Sequence, residues 1–509
     1  MLPTTSIRRE IRPPMPIVSR PSTSASLLGG SIVLEPAPCA HGTPRRVEPW
    51  TGEPGTAGCV AVVGAGKMGL PLAAQFASHG WDVTAVDVVP EVVDAINAGR
   101  SHIGAEPGVA ELVAAAHAGG RLRATMDAAA AAAASDVVVL IVPVTLDDEE
   151  RPDYRAMDAA VAAIAPGVHV GSTIVFETTL PVGTTRSRYT PRLEQASGLR
   201  ADYDFFVAFS PERLYSGAAL RNLATYPKLV GGVGAASTDR AARFYDAVLD
   251  TEVVAMSSAE AAEFSKLADT TYRDVNIALA NEFARAADRF GVDVEEVIGA
   301  ANSQPYSHIH QPGIGVGGHC IPVYPHFLLD GAADLELVAL SRRVNDGQVG
   351  LAIRALQRSL GALDGVPVLV LGLTYRHGVK ELAYSRALPL IDRLRFHGAE
   401  VLAYDPLLGE DETARCCAGA WRWGERSAAR AIVTQTADPQ WRTLDPAWFP
   451  DLRVVFDGRN SLRGADLPAG VEHVGVGLGG SPNRSSATAA GGASPGAAAP
   501  APAPAAARR

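Results

Sequence analysis

Short apolar runs alternate with segments of helical spacing through the first half of the chain. Cys59–Val63 and Asp82–Val86 are apolar runs of strand length, and Lys67–His79 between them has helical spacing. Asp136–Val144 is almost continuously apolar, as expected of a parallel strand covered on both faces. Further strands are predicted over three similar runs, Thr173–Glu177, Phe205–Phe209 and Lys228–Val233. Strands that alternate with helices predict a doubly wound α/β domain.

The pattern then changes to one long helix, predicted over Ser258–Phe290, with Gly291 where a terminating residue belongs. Residues at helical spacing within it are Phe264, Leu267, Thr271, Val275, Ala278 and Phe283. A second α/β unit follows, with strands predicted over Val366–Leu371, Glu400–Tyr404 and Arg453–Asp457. A helix of this length can join two domains and carry an oligomer interface.

The two ends of the chain differ in composition from the part between them. Residues 1–57 are rich in Pro, Ser, Thr and Arg, and residues 479–509 are rich in Gly and Ser, then Ala and Pro. Neither end can bury a core, so we expect both to be disordered. At 509 residues the remainder is too long for one core. It divides into an α/β domain over 58–255, a central helical domain over 256–350 and a second α/β domain over 351–478.

Charge and composition exclude several classes of function. The net charge of −10 argues against nucleic acid as a main partner, because phosphate binding needs a basic surface. No apolar run approaches the roughly 20 residues that a membrane-spanning helix requires. Five cysteines follow no repeated spacing, at Cys39, Cys59, Cys320, Cys416 and Cys417. Such an odd, sparse set fits a reducing cytoplasm better than a disulfide framework.

A glycine-rich turn follows the first predicted strand and opens the first predicted helix. It consists of Gly64, Ala65, Gly66, Lys67, Met68 and Gly69. In this context the first glycine permits the tight turn, the second lets the backbone approach a pyrophosphate, and the third lets helix and strand pack closely. Asp87 ends the second strand, where a carboxylate accepts hydrogen bonds from a ribose diol and repels a 2′-phosphate. The turn therefore predicts a dinucleotide site that prefers NAD to NADP.

A cysteine stands at the edge of a second glycine-rich turn, far along the chain. The turn reads Gly315, Val316, Gly317, Gly318, His319 and Cys320. A thiolate beside a nicotinamide site can capture an aldehyde as a thiohemiacetal, which donates a second hydride and becomes a thioester. The pair of motifs predicts an oxidation through covalent intermediates on Cys320. Histidines are present nearby, but no spacing typical of metal ligands accompanies them, so no metal site is predicted.

The order of motifs along the chain resembles the UDP-glucose/GDP-mannose dehydrogenase family. The resemblance covers residues 58–478 and rests on GAGKMG with Asp87, Val142–Val144, Thr178–Thr185, Ser210–Arg213, Lys266 with Asn281–Glu282, GVGGHC, Gly372–Tyr375 and Tyr404–Pro406. The resemblance implies an NAD-binding Rossmann-like domain, a central helical domain and a UDP-sugar-binding Rossmann-like domain. It also implies that the C6 alcohol of a nucleotide sugar is oxidised to a carboxylate by two NAD⁺. Thr270–Glu282 and the Cys320 turn most resemble the branch that acts on UDP-N-acetylhexosamines, especially UDP-N-acetylmannosamine.

The resemblance also implies roles for single residues. Lys266 would stabilise a developing alkoxide, helped by Thr270, and Glu212 would act as base in thioester hydrolysis. Pro143 and Thr179 would contact the cofactor. The residues implied at the substrate are Arg213, His308, His310, Gly317, Gly318 and Arg376. His319 is expected to have a structural or substrate-contact role.

The chain departs from the family pattern at several positions. Thr270 replaces a usual Asn, and Tyr324 replaces a usual Asp that could orient the hydrolytic water. Residues 304–310 lack the Arg that many relatives supply to the neighbouring subunit's substrate, a role that His308 or His310 could fill. The usual Asp-Asp-x-Arg run reads Lys-Glu-Leu-Ala at residues 380–383. These departures leave open which nucleotide sugar is used and which group activates water.

Three functional hypotheses remain open at this point. The first is a UDP-N-acetylhexosamine 6-dehydrogenase, with UDP-glucose as the alternative substrate. In the second, poor hydrolysis beside Tyr324 leaves an aldehyde or a long-lived thioester as the product. The third is a regulator that binds nucleotide sugars without catalysis. The family pattern and the long helix imply at least a homodimer, and the cysteine usage favours the cytoplasm.

Overall fold

The computed structural model describes Trp50 and residues 56–104, 106–215, 217–416, 419–465 and 467–479. An eight-stranded sheet forms the first α/β domain. Its strands are β1 (Cys59–Val63), β2 (Asp82–Val86), β3 (Leu122–Thr125), β4 (Val137–Leu140), β7 (Thr173–Phe176), β8 (Phe206–Phe209), β9 (Lys228–Gly232) and β10 (Val253–Ala255), and a separate hairpin pairs β5 (Thr145–Leu146) with β6 (Pro152–Asp153).

The sheet order is β10-β9-β8-β7-β4-β1-β2-β3, and all neighbours pair in parallel except β8 and β9, which are antiparallel. Strands β1, β4 and β7 are buried along their whole length, since helices cover both faces of the sheet. The reversal at β9 has a consequence for the site. It brings the first residue of β9, Lys228, to the edge where the parallel strands end.

Helices on both faces of this sheet complete the first domain. They are α1 (Gly69–Ser78), α2 (Pro90–Asn97), α3 (Val109–Ala118), α4 (Ala128–Ala133), α5 (Arg155–Ile164), α6 (Thr190–Ser197), α7 (Ala219–Thr225) and α8 (Ala235–Val248). A π-helical turn, Thr185–Tyr189, leads directly into α6, and a 3₁₀ turn, Ala165–Gly167, follows α5. Two apolar cores form, one on each face of the sheet.

The central domain is built on one long helix. Its helices are α9 (Ala259–Phe290), α10 (Val294–Ala301), α11 (Tyr324–Gly331), α12 (Glu336–Asp346) and α13 (Val349–Leu360). The Ser258 hydroxyl accepts the Ala261 N–H at 3.2 Å and caps the start of α9, and Gly291, in the left-handed conformation, ends it. The predicted helix is therefore found within one residue of its expected ends.

The residues of α9 at helical spacing are buried only in part. Leu267, Thr271 and Ala278 are buried, whereas Phe264 and Phe283 are 49% and 36% exposed. The other buried positions are occupied mainly by alanine and by polar side chains, among them Lys266 and Thr270, which line a cleft. Small residues allow close helix packing, so the spacing of large apolar residues alone does not report which face of α9 is buried.

The second α/β domain has a five-stranded parallel sheet of order β12-β11-β13-β14-β15. Its strands and helices are β11 (Pro367–Leu371), α14 (Ala387–Phe396), β12 (Glu400–Tyr404), α15 (Glu410–Cys416), β13 (Ala431–Thr434), β14 (Val454–Asp457) and β15 (Glu472–Gly475), with 3₁₀ turns at Pro439–Thr443 and Pro446–Trp448. Strands β13 and β15, like β3 and β10 in the first sheet, were not predicted.

The two α/β domains repeat one local arrangement. Gly64 follows β1 with φ of +97°, and Asp87 at the end of β2 accepts the N–H of the next residue, Ala65, at 2.9 Å. Gly372 follows β11 with φ of +91°, and Asp405 at the end of β12 accepts the Leu373 N–H at 2.8 Å. The glycine is required in both turns because its φ is positive.

One residue of the predicted N-terminal extension packs on the first α/β domain. Trp50, assigned to the disordered extension, is buried against Trp81, and its backbone N–H donates to Asp136 at 3.1 Å. Trp50 therefore packs on the first α/β domain, although it precedes the boundary expected at residue 57. A single apolar side chain can pack in this way even where the surrounding sequence has no periodic pattern. The other residues of 1–55 and residues 480–509 lie outside the described part. Among the helices that the structure describes, none is both long and apolar enough to cross a membrane.

Candidate active site

A large cleft, with a cavity volume of about 1070 Å³, is lined by residues from both α/β domains and from α9. Residues that follow strands of the first sheet line it, including Gly66, Lys67, Met68, Gly69, Pro143, Thr179, Glu212 and Arg213. The central and second α/β domains contribute Lys266, Thr270, Gly317, Gly318, Cys320 and Arg376. The carboxyl ends of strands are where open α/β sheets bind ligands. We call this space the active-site cleft.

The geometry of the first glycine turn fits a dinucleotide. A β-carbon on Gly69 would lie 1.8 Å from the Gly64 carbonyl oxygen, so only glycine permits this approach of α1 to the turn. A β-carbon on Gly66 would meet nothing within 4 Å, which leaves open space where a pyrophosphate would lie. Asp87 accepts the N–H groups of Ala65 and Val89, at 2.9 and 3.0 Å, and both oxygens keep a free lone pair for ribose hydroxyls.

The lysine of this turn reaches across the cleft. Lys67 Nζ lies 2.6 Å from a carboxylate oxygen of Glu381, and the same carboxylate lies 3.5 Å from His319 Nε2. Lys67 lowers the pKa of Glu381, although burial of that carboxyl opposes the effect. His319 is mostly exposed and directed to this pair. The altered Lys-Glu-Leu-Ala run thus supplies an ion pair between the NAD-binding turn and the second α/β domain.

The second glycine turn packs tightly on the second α/β domain. A β-carbon on Gly317 would lie 2.8 Å from the Tyr384 carbonyl oxygen, and the Gly318 N–H donates to Ala383 at 3.0 Å. The Arg459 guanidinium donates to the Gly315 carbonyl at 2.6 Å. These contacts fix the turn that presents Cys320, which is half-buried at the cleft and forms no disulfide.

The face of α9 beside Cys320 carries a buried cation. Lys266 is 8% exposed, and Thr270, one helical turn further on, is also buried. Both line the active-site cleft, where a cation or a hydroxyl can stabilise an oxyanion once water is excluded. One more turn along α9, Asp274 forms a buried ion pair with Arg342 of α12, whose guanidinium also donates to the Ile321 carbonyl at 3.5 Å.

Glu212 follows β8 at the edge of the first sheet. Burial raises its pKa, and the positive charge of Lys266 opposes this effect. A second buried pair lies near it: Lys228 Nζ is 3.0 Å from a Glu177 oxygen, and the Tyr245 hydroxyl donates to the same carboxylate. A carboxyl whose pKa is raised by burial is suited to accept a proton from water.

Positive charge gathers at the part of the cleft beside the second sheet. Arg376 and Arg273 each lie 5.7 Å from the ring centre of Tyr215, one from each side of the cleft. Burial lowers the pKa of Arg459 to about 10, which leaves it charged at neutral pH. Guanidinium groups are well matched to phosphates. Sequence reasoning missed Arg273, Arg459 and Tyr215, although Arg459 follows β14 at the carboxyl edge.

Three residues that were predicted to contact the substrate make other contacts in this structure. His308 and His310 do not line the active-site cleft of this chain; their segment is held to α9 by Asn276, which donates to the His308 carbonyl at 2.8 Å and accepts the His310 N–H at 2.8 Å. Burial lowers the pKa of His310, and Arg273 adds to the effect. The Arg213 guanidinium lines the cleft but donates to the Pro227 carbonyl. Within the described ranges, no group of three or more potential ligands is arranged to hold a metal.

Three models of one protein family match the chain in order. The NAD binding domain of the UDP-glucose/GDP-mannose dehydrogenase family matches residues 59–249, the central domain matches residues 260–347, and the UDP binding domain matches residues 369–464. The chain belongs to this family. It is an NAD-dependent nucleotide-sugar dehydrogenase, with NAD as cofactor and a nucleotide sugar as substrate.

Similar proteins include several with assigned substrates. A UDP-N-acetyl-D-mannosamine dehydrogenase of Pyrococcus horikoshii is 34% identical over 430 residues, 82% of this chain and 99% of that protein. The solved structure of that organism's enzyme covers 83% of this chain and 100% of its own, with a TM-score of 0.76 and 33% identity. An NDP-N-acetyl-D-galactosaminuronic acid dehydrogenase of Ralstonia nicotianae is 35% identical over 342 residues, 66% of this chain and 79% of that protein. A UDP-glucose dehydrogenase structure from Pyrobaculum islandicum has a TM-score of 0.73 at 27% identity, covering 83% of this chain and 98% of its own.

Proposed function

We propose that this dehydrogenase oxidises the C6 alcohol of a UDP-N-acetylhexosamine, foremost UDP-N-acetylmannosamine, to the uronate. The observation that carries the proposal is the active-site cleft itself. It joins the dinucleotide turn, the thiol of Cys320 and a group of arginines suited to a diphosphate. The substrate class is supported by the UDP-N-acetyl-D-mannosamine dehydrogenase of Pyrococcus horikoshii, which matches over nearly its whole length.

The side chains of the cleft would act in sequence on the sugar. NAD⁺, when bound, accepts a hydride from C6 in each of two steps. As the first hydride leaves, the C6 hydroxyl proton passes to solvent water. The positive charge of Lys266 stabilises the negative charge that develops on the C6 oxygen, with the Thr270 hydroxyl as a hydrogen-bond donor on the same helical face. The Cys320 thiolate adds to the aldehyde carbon, and the resulting thiohemiacetal loses a second hydride to become a thioester. Glu212 then accepts a proton from the water that attacks the thioester carbon.

The nucleotide would lie at the other end of the cleft. Arg376 and Arg459 face this end from the second α/β domain, and Arg273 faces it from α9. Guanidinium groups bind phosphate oxygens through paired N–H groups, so this set favours a diphosphate over a neutral ligand. Replacing Arg376 with Ala is expected to raise KM for the nucleotide sugar at least tenfold and to leave KM for NAD⁺ within twofold.

A panel of nucleotide sugars with NAD⁺ tests the proposal. The panel contains UDP-N-acetylmannosamine, UDP-N-acetylglucosamine, UDP-N-acetylgalactosamine and UDP-glucose, and it follows NADH and the uronic acid together. Cys320→Ser should abolish complete turnover, whereas Cys416→Ser should not, because Cys416 lies on α15 and does not line the cleft. Acid formation by Cys320→Ser at the unmodified rate would overturn the covalent route.

UDP-glucose is the second candidate substrate. It is favoured by the likeness of the fold to the UDP-glucose dehydrogenase of Pyrobaculum islandicum. The same panel separates the two, since the preferred sugar has the higher kcat/KM. A preference for UDP-glucose of tenfold or more would replace the hexosamine assignment and leave the chemistry of Cys320 unchanged.

We infer that the protein works as at least a homodimer through α9. Large apolar side chains are exposed along this helix, at Phe264, Tyr272, Leu279, Phe283 and Phe290. A patch of this kind marks an interaction surface. His308 and His310, which lie against α9 and outside the cleft of their own chain, would then contact the partner's substrate. Light scattering should give a mass of at least two chains, and Phe283→Glu should lower that mass. We propose a cytoplasmic location, because the five cysteines of the sequence follow no spacing typical of a disulfide framework.

A further inference from the structure

A buried ion pair beside Glu212 has no part in the steps proposed above. Lys228, the first residue of β9, is buried, and its Nζ lies 3.0 Å from a carboxylate oxygen of Glu177, which is also buried. The Tyr245 hydroxyl donates to the other oxygen of this carboxylate, and Lys228 Nζ lies 4.5 Å from the centre of the Tyr245 ring. We call Lys228 and Glu177 the buried pair. The burial of two charges adds little to stability on its own, so the pair points to a role for its charges.

The pairing of β8 with β9 brings Lys228 opposite Glu212. The two strands are antiparallel, and Phe209 at the end of β8 pairs with Gly231. Three residues further along the same register, Glu212 stands opposite Lys228. Residues that stand opposite in an antiparallel pair direct their side chains to the same face of the sheet. The register therefore places the cation and the proposed base on one face.

Contacts on either side of these two residues follow the continued register. The Ser210 hydroxyl donates to the Leu229 carbonyl at 2.8 Å. The Arg213 guanidinium donates to the carbonyl of Pro227, the residue that the register sets opposite it. The chain after β8 thus stays alongside the chain that enters β9.

The buried pair spans β8 where Glu212 follows it. Glu177 follows β7 and Lys228 begins β9, and β8 lies between these two strands in the sheet. The Glu212 N–H donates to the Glu177 carbonyl at 3.2 Å. Glu177, Glu212 and Lys228 together line a cavity of about 20 Å³, which is large enough for one water molecule. The three side chains therefore face one small space.

The ionisable groups around Glu212 come from several elements. Those that line the small cavity or the active-site cleft with it include Glu177, Lys228, Lys266, Arg213, Cys320, Tyr226 and Tyr324. Burial raises the pKa of Glu212, whereas Lys266 and Lys228 lower it and the Glu177 carboxylate raises it. Lys266 also faces the sugar in the proposed mechanism. Lys228 does not line the cleft, so its charge stays with the two carboxyl groups.

We propose that Lys228 is a positioning residue for hydrolysis: its charge, shared between Glu177 and Glu212, holds Glu212 as the carboxylate that accepts the water proton. The proposal rests on the proposed function. In that step the water oxygen bonds to the acyl carbon, one water proton passes to Glu212, and the second stays with the uronic acid. The carbon–sulfur bond breaks, and its electron pair goes to Cys320 Sγ. Glu177 holds the Lys228 side chain in place beside β8.

The first experiment compares two variants that differ by one charge. Replacing Lys228 alone would leave the Glu177 carboxylate unpaired beside Glu212, so Glu177→Gln serves as the background. Release of uronic acid from the acyl enzyme in a single turnover is followed against pH for Glu177→Gln and for Glu177→Gln with Lys228→Met. An opposite charge at close range lowers the pKa of a carboxyl by about 1–3 units, so the midpoint of the acidic limb should lie at least about one pH unit higher in the double variant. Coincident midpoints would overturn the proposal.

Two controls separate the charge of Lys228 from a structural effect. Lys228→Arg keeps the cation and should leave the midpoint of the unmodified protein unchanged. Glu412→Gln, with and without Lys380→Met, repeats the design at an exposed ion pair whose nitrogen and oxygen lie 2.8 Å apart, and these two proteins should share one midpoint. A merely structural defect would lower the rate at every pH and leave the midpoint where it is. A shift at the exposed pair equal to that at Lys228 would contradict the proposal.

A second experiment needs no nucleotide sugar. A water-soluble carbodiimide activates a carboxyl in its protonated form, and glycine amide then traps Glu212 as an amide. Peptide mass spectrometry measures this labelling against pH in the same variants. The labelling midpoint should be higher in the double variant than in Glu177→Gln, as for acid release. Equal labelling midpoints would count against Lys228.

The two experiments distinguish this proposal from the proposed function. If the unmodified protein oxidises no nucleotide sugar but the labelling midpoints differ as expected, the proposed function fails and the effect of Lys228 on Glu212 stands. If turnover is normal and the midpoints coincide in both experiments, the proposal fails alone. Gln has the shape of Glu, and Met resembles the lysine stem, so folding should be preserved, which circular dichroism checks. Should the double variant misfold, Glu177→Gln alone should lower the midpoint relative to the unmodified protein, and an equal or higher midpoint would overturn the proposal.

Discussion

Replacing Arg342 with Met removes the cation from a buried ion pair that joins α12 to α9. Arg342 is 4% exposed and Asp274 is 0% exposed. Met fills most of the space of the arginine stem but leaves the Asp274 carboxylate without its opposite charge. The Asn345 amide still donates to this carboxylate at 2.8 Å, which offsets part of the loss. Breaking a buried pair by removing one partner costs about 3–5 kcal/mol, and we expect a value at the lower end of that range.

A double-mutant cycle isolates the energy of the pair. Urea unfolding of Arg342→Met, Asp274→Asn and the double variant is followed by circular dichroism, which reports the loss of helix throughout the protein, including the central domain. The double variant buries no unpaired charge, so it should be more stable than the sum of the single effects predicts, by about 2 kcal/mol. Arg342 also donates to Asp346 at 2.7 Å and to the Ile321 carbonyl, so part of its effect remains outside the cycle.

The pH dependence of the same variant provides a second check. Burial raises the pKa of Asp274 and Arg342 lowers it, so Arg342→Met should raise this pKa further. When the pKa of an acid is higher in the folded than in the unfolded state, the free energy of unfolding falls as the pH rises through the folded-state pKa. Arg342→Met should therefore be less destabilised at pH 5 than at pH 8. A coupling energy below about 0.5 kcal/mol, or an equal loss at both pH values, would refute the electrostatic account of this pair.

Three further predictions concern the cofactor turn, the oxyanion and a buried acid. Asp87→Ser should raise KM for NAD⁺ by roughly 10–100-fold and weaken discrimination against NADP⁺, because the ribose loses a charged hydrogen-bond acceptor. Measured KM values for NAD⁺ and NADP⁺ test this prediction. Lys266→Ala should lower kcat about 10²–10³-fold and leave KM for NAD⁺ unchanged. The control variant Lys380→Ala, which removes an exposed ion pair, should leave kcat unchanged. Steady-state kinetics of both variants test this prediction. Burial raises the pKa of Glu263 to about 7 from an ordinary value of 4.5, so its contribution to stability is present below pH 4.5 and lost as pH rises through 7. Between pH 4.5 and 7.5, the free energy of unfolding should fall by about 3 kcal/mol less in Glu263→Gln than in the unmodified protein. Urea unfolding at several pH values measures this, and the same pH dependence in both proteins would contradict it.

The parts of the fold that could be predicted from sequence have strong local signals. The strands at Cys59–Val63, Asp82–Val86 and Glu400–Tyr404 have the predicted bounds, because each is an apolar run ended by a turn. The ends of α9 were predictable from its cap at Ser258 and its glycine at 291. Local chemistry determines these features, so they can be read from a few neighbouring residues.

Other features depend on contacts that no local pattern reports. The predicted run Asp136–Val144 is a strand only over Val137–Leu140, because the chain beyond it leaves the sheet to line the cleft. The reversal of β9 depends on its pairing with β8 and has no local signal. The spacing of apolar residues along α9 does not report which of them are buried: Leu267 and Ala278 are buried, whereas Phe264 and Phe283 are exposed.

The candidate site shows the same division. The glycine turns and Cys320 have recognisable spacing, so their part in the site could be predicted. The placement of Tyr324 in the cleft, with its ring centre 5.9 Å from Lys266 Nζ, depends on the packing of α11 beside α9, which no local sequence pattern reports. Arg273 and Arg459 were missed because an isolated arginine has no spacing to distinguish it from a surface cation.

The ratio of NADH to uronic acid tests the central claim most directly. A limiting amount of UDP-N-acetylmannosamine is consumed with excess NAD⁺, and NADH absorbance, free aldehyde and uronic acid are measured on the same sample. Two oxidations at one carbon through Cys320 predict two NADH and one uronic acid per sugar, with no free aldehyde at any time. One NADH per sugar with release of the aldehyde, or NAD⁺ binding without oxidation of any sugar in the panel, would contradict it.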